Sequence, residues 1–106
     1  GGSSLAGSLA AHNLDNIGRI GIGTTDTGNK LSVTGNSVLF NTSTGDIRTT
    51  LNKTNISNNA LFSFQNGFST RAEFGLAGND DFTMKVSPNG SSFNNGIVIN
   101  ATTAAT

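Results

Sequence analysis

Alternation of apolar and polar side chains runs through the second half of the chain, broken at intervals by residues that favour tight turns. Phe62 and Phe64 fall on one side of an extended backbone. After Asn66-Gly67, the residues Phe68, Thr70, Ala72, Phe74 and Leu76 fall on one side, and Ser69, Arg71, Glu73 and Gly75 on the other. A period of two belongs to the β-strand. Two such runs joined at Asn-Gly are the strongest short-range hairpin signal. Gly78-Asn79 marks another turn, and Phe82, Met84 and Val86 then alternate with Thr83 and Lys85. Ser87-Pro88-Asn89-Gly90 is a turn with Pro setting φ at its second position. Residues 97–99 close the chain as a short strand, and residues 101–106 read as a frayed end.

The first half carries the same period in shorter pieces. Ile20 and Ile22 alternate with Gly21 and Gly23, and Leu31 and Val33 with Ser32 and Thr34. Turn-rich residues 24–29 and Gly35-Asn36 separate the pieces. Residues 37–40 read as a short apolar strand, and Ile47, Thr49 and Leu51 as one face of another. Only residues 1–16 show helical spacing, through Leu5 and Leu9 with Ala10 and Ala11. They read as a linker or one short helical turn, and the lone His12 as a polar surface residue. About seven or eight short strands with turn chemistry between them indicate an all-β protein built from short antiparallel strands. The chain divides into a linker (1–16), a shaft-like β segment (17–45), an antiparallel, β-sandwich-like unit (46–100) and a tail (101–106).

Composition narrows the function. Gly, Asn, Ser and Thr make up 55 of the 106 residues, and six basic side chains balance six acidic ones. A neutral chain offers no electrostatic footprint for nucleic acid or anionic membrane. The longest apolar run is four residues or fewer, against roughly 20 for a membrane helix. The absence of Cys removes disulfides and Cys-ligated zinc, and one His leaves almost no material for a His-based metal site or a catalytic triad. No cofactor, metal or enzymatic activity is therefore expected. Leu, Ile, Val and Phe number 26, a share above the roughly 20% below which disorder is the rule. A lone chain of this size buries only about two-thirds of its unfolded surface, so association is expected as an extra source of stability. The chain begins at Gly1 and reads as a piece of something longer, so no targeting signal locates it.

Individual motifs are weak. Gly21-Ile22-Gly23-Thr24-Thr25 lacks the spacing of a phosphate-binding loop and is read as a Gly-rich strand end. Asp80, Asp81 and Glu73 form the only acidic cluster; a turn-capping Asp and a surface ion pair of Glu73 with Arg71 explain it better than Ca²⁺ binding or acid–base work. Five Asn-x-Ser/Thr sequons match about what chance gives at this Asn, Ser and Thr content. Phe62, Phe64, Phe68, Phe74, Phe82 and Met84 read as hydrophobic core; a sugar-stacking platform would prefer Trp and Tyr, which are absent.

A resemblance enters with longer runs. Residues 18–25 (GRIGIGTT) followed by 29–35 (NKLSVTG) look like a segment common in phage tail fibres and related surface fibres. Residues 71–78 (RAEFGLAG) and 80–90 (DDFTMKVSPNG), with 44–48, 51–53, 61–65 and 67–69 before them, resemble an uncharacterised domain of phage and prophage tail-fibre-like proteins and of gene-transfer-agent-associated proteins of alphaproteobacteria. The similarity spans roughly residues 14–100. After Gly90 the family pattern carries an aromatic residue, often Trp, and then an acidic one; here Phe93 is followed by Asn94-Asn95-Gly96.

The resemblance implies a non-enzymatic structural component of a tail fibre or spike, located in the virion and extracellular, intertwined as a homotrimer and joined to other tail or fibre proteins. Three copies would bury Ile20, Ile22, Leu31 and Val33 against their symmetry mates. An alternative is a receptor-binding tip that holds host surface glycan through Asn79, Asp80, Asn89, Asn94 and Asn95. A subunit of a non-phage extracellular filament is the second alternative.

Overall fold

The computed structural model describes residues 15–25 and 28–106. The helical turn expected near Leu5 and Leu9, and His12 with it, lies outside them. The chain divides into two compact units, the first ending at Ile47 and the second spanning Arg48–Thr106. All regular structure among the described residues is β, so the chain is all-β as its alternation indicates.

The first unit contains two strands, β1 (Ile20–Ile22) and β2 (Leu31–Val33). Alternation does not encode strand direction, and here the two pair in parallel, with Ile20 opposite Leu31 and Ile22 opposite Val33. The Ile20 N–H donates to the Lys30 carbonyl at 2.9 Å, and the Thr34 N–H to the Ile22 carbonyl at 2.8 Å. Parallel pairs ordinarily need a crossover of about a dozen residues or more. Here the strands are three residues each, and the eight residues 23–30 connect them. Gly23 makes the exit from β1 feasible: its φ is +70°, and a Cβ there would sit 2.4 Å from the Thr34 carbonyl oxygen.

Residues 37–40 and 47–51, expected as strands, carry no regular structure. An apolar or alternating run makes a strand only where a second strand offers its N–H and C=O groups, and no ladder forms at either run. Val38, Leu39 and Phe40 remain exposed.

The second unit is an antiparallel meander of β3 (Asn59–Asn66), β4 (Ser69–Ala77), β5 (Phe82–Val86) and β6 (Asn94–Ile99), side by side in chain order. The β3–β4 hairpin forms where the sequence places it, but one residue later in register. Asn66 pairs with Ser69, so Gly67 and Phe68 are the two central turn residues, with φ of 57° and 63°. Positive φ at both positions is the geometry whose twist suits a two-residue hairpin. Phe68, expected in the core, therefore stands at the hairpin tip, 94% exposed. Continued without a break, the ladder from Asn66 and Ser69 would set Phe64 opposite Arg71, a slip of one residue that turns the apolar β4 side chains to the wrong face. A bulge between Phe64 and Gln65 absorbs the slip, with Arg71 as the extra residue opposite. Thr70 is thereby moved to the face of Gln65, whose Nε2 donates to its Oγ1 at 3.1 Å. Only Ala72, Phe74 and Leu76 keep the expected side.

The end of the chain is tied down rather than frayed. The Ala104 N–H donates to the Asn100 carbonyl at 2.8 Å and the Asn100 N–H to the Ala105 carbonyl at 2.9 Å. Asp81 Oδ1 also accepts the Ala101 N–H at 2.8 Å, which fastens this turn to the start of β5.

The unit forms a single sheet layer and not the expected sandwich, because its four strands make one sheet and the unit holds no second sheet to pack on it. Among the described residues no apolar side chain is buried; only Thr83 and Ser87 are.

Candidate functional site

The register assigns the sheet's side chains to two unlike faces. One face holds Ala60, Phe62 and Phe64 of β3, Ala72, Phe74 and Leu76 of β4, Phe82, Met84 and Val86 of β5, and Ile97 and Ile99 of β6. A row of rings crosses three strands. Phe74 stacks on Phe62 with centroids 5.3 Å apart and on Phe64 at 5.7 Å, and meets Phe82 at 6.2 Å with the rings tilted by 44°. Offset and tilted pairs at such distances are favourable beyond the area they cover. The face carries no charge, and most of it is open: Phe62 is 48% exposed, Phe64 54%, Met84 44% and Val86 56%. At one end Leu51 leans over it, so that a shallow concavity of about 180 Å³ forms among Leu51, Ala60, Phe62, Phe74, Leu76 and Phe82.

The opposite face carries Leu61 and Val98 in one row and a paired polar group in the next. Ser63 Oγ donates to Glu73 Oε1 at 3.3 Å, and Lys85 Nζ lies 3.4 Å from Glu73 Oε2. Lys85 also sits 5.1 Å from the centroid of the Phe93 ring, within cation–π range. The ion pair expected between Glu73 and Arg71 is thus replaced by a cross-strand pair, because Glu73 stands directly opposite Lys85 in the β4–β5 register. The bulge turns Arg71 away to donate to the Pro88 carbonyl. Its main-chain carbonyl accepts the Ser87 N–H at 2.8 Å.

The residues considered for receptor contact hold their own loops together. Asn79 Oδ1 accepts the Asp81 N–H at 2.9 Å. Asn89 Oδ1 accepts the N–H groups of Ser91 and Ser92 at 2.8 and 2.9 Å. Asn94 and Asn95 belong to β6, opposite Val86 and Lys85, and not to a loop. Asp80 pairs with Lys53 at 2.9 Å. Lys53 Nζ also donates to the carbonyls of Ile56 at 2.8 Å, Asn58 at 3.1 Å and Asn79 at 2.8 Å. One ammonium thereby pins the 52–58 loop to the β4–β5 turn. Nothing about Lys53 in the sequence separates it from other solvated lysines; the cluster exists only through a contact 26 residues distant.

Ile20, Ile22, Leu31 and Val33 share one face of the β1–β2 pair and are 38–55% exposed. Among the described residues no group of acidic or His side chains is placed to hold a metal ion, and no helix is long and apolar enough to cross a membrane. Compared with known protein families, curated proteins and solved structures, the chain has no match.

Proposed function

We propose that this chain is a non-enzymatic structural module of an extracellular fibre, of the kind found in phage tail fibres and spikes, and that it assembles as a homotrimer. The observation that carries the reading is the missing core. A sheet with a row of Phe rings on one face and no buried apolar side chain among the described residues is an unfinished hydrophobic layer. Sheets reach stability by covering such a face with another layer. A fibre supplies that layer by repetition, through copies of the same chain around one axis. The Thr-, Asn- and Ser-rich remainder, with six Lys and Arg residues in 106, leaves few sites for trypsin-like proteases outside the cell. Attachment to a host glycan through the loops is the weaker reading, because the side chains of Asn79 and Asn89 are spent on their own turns.

Light scattering of the purified chain should give the mass of three copies of a 10.8 kDa protein. A stable, folded monomer would overturn the assembly. The location has its own check. Tryptic digests of purified virus particles from the source should contain the peptides 54–71 and 72–85. Their recovery only from cell-surface filaments would move the module to a non-phage fibre.

A further inference from the structure

We infer that copies of this chain meet through the apolar face of the four-stranded sheet, so that Phe62, Phe64, Phe82, Met84, Val86 and Ile97 of each copy are covered by the same face of its neighbours. The inference rests on the reading of the chain as a self-assembling module and adds where the copies touch. It places the main contact on side chains that the alternation alone would assign to a monomer's core.

Two observations select another copy as the occupant. The first is charge. Around a rotation axis each residue near the axis meets its own duplicate, so a charged side chain would face a like charge. The apolar face has none, whereas the opposite face holds Glu73 and Lys85, already paired with each other. The uncharged face can lie against itself with no like charges opposed. The second is area. These six side chains are each 40–56% exposed. With aromatic side chains contributing roughly 150–250 Å² when fully covered, they leave on the order of 500 Å² of apolar surface per copy. That is as large as the largest apolar patch of an ordinary monomer, about 300–600 Å². Two such faces together approach the roughly 1,000 Å² at which specific interfaces begin.

The chain's lack of Cys allows a direct test on the intact 106-residue chain. Single cysteines are introduced as Met84→Cys on the apolar face, Ser63→Cys on the polar face and Ile22→Cys on β1, and each is treated with a short bismaleimide. The inference expects chain-to-chain products from Met84→Cys at a yield at least tenfold above that from Ser63→Cys. Phe64→Asp, measured beside them by light scattering and circular dichroism, should shift the mass to a single copy. An assembled wild-type chain that cross-links through Ser63→Cys or Ile22→Cys but not through Met84→Cys overturns the inference and leaves self-assembly standing. The same holds if Phe64→Asp keeps both its sheet signal and its oligomeric mass. A folded monomeric wild type overturns both readings. If Phe64→Asp does not fold, the cross-linking pattern alone decides.

Discussion

Gly75→Val is expected to abolish the folded sheet. Gly75 sits in the middle of β4 opposite Leu61, with φ of +139°. An added Cβ would lie 2.3 Å from the Ala60 carbonyl oxygen and 3.1 Å from the Leu61 Cα, both rigid backbone atoms of the neighbouring strand. Side-chain-bearing residues avoid this backbone region, at a cost of about 1–3 kcal/mol. Forcing the two strands apart adds about 1–3 kcal/mol more. Together these approach the whole stability of a small domain, about 5 kcal/mol at the low end. Circular dichroism should show loss of the β signal, and Gly75→Ala should already lower the urea midpoint steeply. An unchanged midpoint for Gly75→Ala would mean that β3 and β4 do not approach as closely as the structure places them. In sequence, Gly75 is one more small residue on an alternating face; only the ladder shows that a backbone occupies the space a side chain would need.

Lys53→Met should cost about 2–3 kcal/mol, most of it from three main-chain carbonyls that lose a charged donor. The Lys53 side chain is 10% exposed and Asp80 50%, so the ion pair itself is partly screened. Asp80→Asn should accordingly cost well under about 1 kcal/mol. The contrast between the two variants, read from urea midpoints, separates a donor hub from a simple salt bridge. Equal effects would show that the ion pair carries the contact. Hydrogen exchange should locate the damage: the Asn58 N–H, which donates to the Asn55 carbonyl at 3.1 Å, should exchange faster in Lys53→Met.

The strands of the second unit were legible from Phe62 to Val86 because each run alternates over several residues and is bounded by strong turn residues. Where legibility failed, the cause was a partner that sequence does not name. The hairpin at Asn66-Gly67 was visible, yet not the one-residue offset that lifts Phe68 to the tip. The Phe64/Gln65 bulge, which sets which β4 side chains share the Phe face, was hidden too, because it is a feature of how two strands settle against each other. Residues 37–40 are apolar and 47–51 alternate, as a strand requires, but no ladder reaches either run, so both stay irregular. The pairing of Glu73 with Lys85 instead of Arg71 is set by the β4–β5 register. Lys53 was invisible for the same reason.

The sequence by itself determined that this chain is all-β, that its turns fall where Gly, Asn and Pro cluster, and that one side of its strands is apolar. Those properties are local: period two and turn propensity act over a few residues. The tertiary structure decided that β1 and β2 run in parallel, that a bulge restores the register of β4, and that the Phe face is left uncovered. Those outcomes depend on which strand lies beside which and on what layer lies above, and no short window of residues contains that information.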